Sequence, residues 1–95
     1  MATTVGLVHL DFSVAGAQSL KDKRRSVKSF KDRMAHRHNV SIAEVDALDA
    51  RQHAVLAVAI VGNDRRYVEG VLQRVINAAA QHRGMILLGS EIEWL

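Results

Sequence analysis

From Ala54 to Val61 the chain is apolar at every position, and that run constrains the fold more than any other feature. With His53 in front of it, the run reads as a strand in which Leu56, Val58 and Ile60 face one way and Val55, Ala57, Ala59 and Val61 the other. A strand apolar on both faces belongs at the centre of a sheet and is covered on both sides. The rest of the chain must supply its neighbours.

Three further strands are legible. From Val5 to Val14 the residues alternate, with Val8, Leu10, Phe12 and Val14 on one face and Val5, Leu7, His9 and Asp11 on the other. Asn39 to about Ala47 reads as a second strand, joined to the central one by a hairpin connection over Leu48-Asp49-Ala50-Arg51-Gln52. Met85 to Leu95 is the last strand, and its alternation predicts Ile86, Leu88, Ile92 and Trp94 on one face with Glu91 and Glu93 on the other.

Two amphipathic helices separate these strands. Ser19, with Asp22 three residues later, resembles a capping box, so a helix begins near Leu20. Leu20, Val27, Phe30 and Met34 fall within about 80° of one another and form its buried stripe, and His38-Asn39 ends it. Lys23 lies near that stripe, which predicts a packed stem with the ammonium reaching water. The second helix is capped by Asn63 or Asp64, buries Val68, Val71, Leu72, Val75 and Ala79, and stops before Gly84. Gly16 and Gly62 read as turn glycines.

The order β-α-β-β-α-β predicts an α+β, ferredoxin-like domain: a four-stranded antiparallel sheet with two helices on one face and the other face open. Proline is absent, and no stretch rich in glycine, serine or one charge sign interrupts the chain, so residues 1–95 read as a single domain. There is no cysteine, which excludes disulfides, thiolate metal sites and cysteine nucleophiles. The first residues lack the pattern of a signal peptide, and no apolar run approaches the ~20 residues of a membrane span. The expectation is a cytoplasmic protein without a membrane partner.

A formal charge of +3 is too small to name a partner by itself. Its distribution says more. Lys21, Arg24, Arg25, Lys28 and Lys31 recur at steps of three and four and share one face of the first helix, which marks either a solvated outer face or an anion-binding one. The five histidines predict no metal site. His36 and His38 point about 200° apart on a helix, and His9, His53 and His82 come from separate elements. His9 beside Asp11 makes a polar pair. Glu91 and Glu93 gather with Asp11, Glu44 and Asp46 as solvated carboxylates of the open sheet face. No phosphate loop, nucleophile elbow or zinc signature is present, so neither catalytic residues nor a cofactor are assigned.

The stretch Ser19-Leu20-Lys21-Asp22-Lys23-Arg24-Arg25, followed by Val27-Lys28, resembles the YlxP-like family of short bacterial proteins of unknown function. Asn39-Val40-Ser41-Ile42-Ala43-Glu44-Val45-Asp46, Asn63-Asp64-Arg65-Arg66 and Glu91-Ile92-Glu93 extend the resemblance over nearly the whole chain. It implies a ferredoxin-like fold, a bacterial cytoplasm, and genes that neighbour transcription and translation factors, including ribosome-binding factor A. It brings no catalytic residues. Many relatives resemble Leu-Trp-Gln-Arg after the second strand, where this chain has Ala50-Arg51-Gln52-His53.

Three readings follow. The leading one is a non-enzymatic RNA- or ribosome-associated module that contacts anions through Lys21, Arg24, Arg25, Lys28 and Lys31. The second is a homodimeric structural or interaction protein that buries Val5, Leu7, Val55, Ala57, Ala59 and Val61 between sheet faces. The third is a small-molecule sensor or acylphosphatase-like enzyme, which the fold permits but which finds no phosphate-holding arginine in the loop after the first strand.

Overall fold

A computed structural model describes residues 1–95. The elements run β1 (Thr4–Ser13), α1 (Leu20–Arg37), β2 (Ser41–Asp46), β3 (His53–Gly62), α2 (Arg65–Gln81) and β4 (Ile86–Trp94). The sheet order is β2-β3-β1-β4 and every neighbouring pair is antiparallel. This is the ferredoxin-like α+β arrangement, with the apolar run of β3 at the centre.

Local chemistry explains where the helices begin and end. Ser19 Oγ accepts from the Asp22 backbone N–H at 3.1 Å, while Asp22 Oδ2 accepts from the N–H of Gln18 rather than that of the cap residue. Asp64, not Asn63, caps α2 by accepting from the Arg66 N–H. His38 closes α1 through its N–H to the Met34 carbonyl, and Gly84 supplies the positive φ of +92° that turns the chain toward β4.

One core lies between the sheet and the helix layer. Val8, Leu10 and Phe12 of β1 and Ala54, Leu56, Val58 and Ile60 of β3 pack against Val27, Phe30 and Met34 of α1 and Val68, Val71, Leu72, Val75 and Ala79 of α2. Leu20 is only half-buried, and Lys23 takes its place in the α1 stripe. At Gly6 a Cβ would come within 2.8 Å of Leu72 and Val68, and at Gly62 within 2.9 Å of Val68. Gly62 therefore lets α2 approach the sheet and does not serve a turn. No helix is long and apolar enough to cross a membrane.

The last strand departs from the expected alternation. Val8 pairs with Ile92 and Leu10 with Ser90, but the register shifts between Asp11 and Phe12, so Phe12 pairs with Leu87. The extra residue is Leu88. This bulge inverts the phase of the first half of β4: Leu87 packs against the core, whereas Ile86 and Leu88 are 64% and 61% exposed. Ile92 and Trp94 keep the inward side.

Candidate functional site

Of the five cations of the predicted stripe, Lys21, Arg24, Arg25 and Lys28 are exposed and Lys31 is half-buried. They do not form one flat row. Arg24, Lys28 and Lys31 line a groove between α1 and β2 together with Val27 and Glu44, whereas Arg25 borders a second depression formed with Gly16, Ala17 and Gly84. Lys28 Nζ lies 2.6 Å from Asp32 Oδ2, an exposed pair one helical turn apart that offsets part of its charge.

Lys23 belongs to a different environment. Its side chain is fully buried, contrary to the expected solvated ammonium. Nζ donates to Glu44 Oε2 at 2.8 Å and to the carbonyls of Ala47, Leu48 and His53 at 2.9, 3.2 and 3.3 Å. Glu44 therefore points to the helix side, not to the open face, because β2 places Ile42 and Glu44 inward. The first two carbonyls come from the β2–β3 turn and the third from the start of β3; in the turn Ala47 adopts φ +57°, a left-handed conformation costly for a residue with a Cβ. The ammonium thus ties α1 to a strained hairpin. Gln52 fastens the other side, donating through Nε2 to the carbonyls of Ala15 and Ala17 in the β1–α1 loop.

The open face carries Val5, Leu7, His9, Asp11 and Ser13 on β1 beside Val61, Ala59, Ala57, Val55 and His53 on β3. Asp11 pairs with His53 across the strands, Nε2 to Oδ1 2.5 Å, rather than with its neighbour His9. The register beside them puts Glu91 opposite His9 and Gly89 opposite Asp11. A shallow depression of about 380 Å³ forms there, lined by His9, Asp11, Val55, Gly89, Ser90 and Glu91. No three His, Asp or Glu side chains converge to hold a metal ion. Val5, Leu7, Val55, Ala57 and Ala59 are half-buried and Val61 is 64% exposed.

Charge divides between the two sides of the molecule. With the mutually neutralised Lys23 and Glu44 set aside, α1, α2 and their flanking residues 64 and 83 carry eleven Lys and Arg against four Asp and Glu, a net +7. The strands and the β2–β3 turn carry only Arg51 against Asp11, Asp46, Asp49, Glu91 and Glu93, a net −4. The aromatics follow a different division. Phe12 and Phe30 are buried against each other, Trp94 lies under the Arg65 guanidinium at 4.2 Å, and Tyr67 is exposed on α2.

These features define a small ferredoxin-like domain with a basic helical layer and an open, partly acidic sheet face. The chain belongs to the family described as "Protein of unknown function (DUF503)", which matches residues 5–92. It is 33% identical over 72 residues to the uncharacterized protein YlxP of Bacillus subtilis (strain 168), covering 76% of this chain and 78% of the relative. Among solved structures it resembles the de novo designed protein Foldit4, with a TM-score of 0.52 at 16% identity over 98% of this chain and 93% of the other. A C-terminal segment of the alpha subunit of aIF2 from Pyrococcus abyssi gives a TM-score of 0.54 at 14% identity, covering 100% of this chain and 51% of that one. These likenesses show the fold alone.

Proposed function

We propose that the protein is a non-enzymatic, cytoplasmic RNA-associated module that contacts phosphates, on free RNA or on the ribosome, through the basic face of α1. The observation that carries this reading is the separation of charge, +7 on the helix side against −4 on the sheet side. Phosphate contacts supply most sequence-independent affinity for nucleic acid, and a field of this sign steers a polyanion to the helices. The sheet is a poor alternative. It repels phosphate, and its open face presents no Phe, Tyr or Trp ring on which a base could stack. The absence of cysteine suits a reducing compartment, where RNA is the abundant polyanion.

The test is binding of fluorescent single-stranded RNA and of ribosomal subunits by the Arg25→Glu, Lys28→Glu double variant. Both side chains are exposed, so circular dichroism should be unchanged while affinity falls by at least tenfold. Arg65→Glu with Arg66→Glu, on the other helix, should cost less. Binding by the α1 variant equal to that of the parent at moderate salt would reduce the basic face to a solvated surface.

A further inference from the structure

We propose that the open sheet face is the interface of a homodimer in which two sheets stack about a two-fold axis running along the strands, between β1 and β3. The pairing registers lay this face out as rows across the sheet: Ser41, Ala59, Leu7, Glu93; then Ala43, Ala57, His9, Glu91; then Asp46, Val55, Asp11, Gly89. In the first two rows the β1 column is large and the β3 column small. An axis along the strands keeps each row and exchanges the columns, so β1 lies over the partner's β3. Leu7 then meets the partner's Ala59 and His9 meets the partner's Ala57, large side chain into small gap, twice on each side of the axis.

The same operation sorts the charges. Glu93 falls over the partner's Ser41, Glu91 over the partner's Ala43, Asp46 over the partner's Gly89 and Asp11 over the partner's Val55, so no carboxylate opposes another. The other axis available to stacked sheets, across the strands through the middle row, sets Leu7 against the partner's Asp11 and Glu91 against its own copy. The face therefore fits a second copy in shape and without direct carboxylate contact about one axis, and opposes like charges about the other.

The size is sufficient. β1 and β3 each present five outward positions, β4 four and β2 three, and at ~4.8 Å by ~6.8 Å apiece these give a face of ~550 Å². Two such faces bury ~1,100 Å², above the ~1,000 Å² that a specific interface needs, and aligned sheets pack within about 30° of parallel, which preserves this central register. Both α1 faces remain on the outside of the sandwich, so dimerisation and RNA binding are separable.

Two measurements test the interface. Light scattering and sedimentation at tens of micromolar should give about 21 kDa, twice the 10.5 kDa of the chain. Ala57→Glu, at the centre of the face, should give a monomer with unchanged circular dichroism and unchanged RNA affinity. The chain has no cysteine of its own. Leu7→Cys chains mixed with Ala59→Cys chains should therefore form a disulfide-linked dimer on mild oxidation that neither chain forms as readily alone. A parent that stays monomeric, which would leave the face to a different partner, overturns the proposal. So does a dimer that survives Ala57→Glu, or crosslinking no greater in the mixture than in the separate chains.

Discussion

His82 sits where the two helices meet, 8% exposed at the end of α2, with its ring edge-on to Phe30 at 5.3 Å between centroids. The Arg33 guanidinium donates to its Nδ1 at 3.1 Å, which requires the neutral imidazole with its proton on Nε2. Burial, and then the Arg33 charge, push its pKa below the usual histidine value of 6.5, against a smaller opposing pull from the Ser26 carbonyl. The sign of the linkage follows. Above pH 6.5 the imidazole is neutral in both folded and unfolded chains and costs nothing. As the pH falls from 6.5 toward the lowered folded value, the unfolded chain takes up a proton that the folded chain resists, and stability is lost. Urea midpoints measured from pH 8 to pH 5 should therefore fall more steeply for the parent than for His82→Gln, which cannot titrate. Parallel curves for the two proteins would show that His82 does not carry this dependence.

Between elements, the Lys23 ammonium joins α1 to the β2–β3 hairpin. Removing one partner of a buried ion pair costs about 3–5 kcal/mol, because the other is left buried without its counter-charge, here together with two turn carbonyls and that of His53 at the start of β3. At ~5 °C per kcal/mol, the lower part of the range for a domain near 100 residues, Lys23→Ala should lower the melting temperature by roughly 15–25 °C. Lys23→Met combined with Glu44→Leu should melt above Lys23→Met alone, since it removes the orphaned carboxylate. Equal melting of Lys23→Ala and the parent would reduce the pair to a bystander. Much of this element scale is legible in the sequence: period-two and period-3.6 patterns give all six elements, their order and nearly all of the core. The helical period even places Lys23 near the buried stripe. What it cannot show is that β2 turns Glu44 inward to meet it, a matter of strand phase that only pairing fixes. Phase also governs the other departures. One inserted residue at Leu88 exchanges Leu87 for Ile86 and Leu88, and the register of Ser13 with His53 brings His53, rather than His9, to Asp11. Local patterns carry no signal for register across strands distant in sequence.

At the scale of the whole molecule, the basic face is legible as a spacing, but its strength depends on what lies behind and beside it. Behind it is a sheet side of net −4, so a polyanion drawn to the molecule is oriented as well as attracted. Beside it is Asp32, the carboxylate paired with Lys28. If Lys21, Arg24, Arg25, Lys28 and Lys31 all contact phosphates of single-stranded RNA, the logarithm of affinity should fall with the logarithm of salt at a slope of about −3.5, from ~0.7 per contact. Sequence preference should be weak, because phosphate contacts position a protein without reading bases. Asp32→Asn frees Lys28 from an exposed i,i+4 pair worth ~0.3–0.5 kcal/mol, so affinity at low salt should rise about twofold. The gain should fade as salt screens the face. Fluorescence anisotropy titrations of the parent, Asp32→Asn and Lys28→Gln across a salt series separate these effects. Lys28→Gln should make the slope shallower by about 0.7, the loss of one contact. An unchanged slope in Lys28→Gln would place the phosphate contacts on some other part of the helix layer.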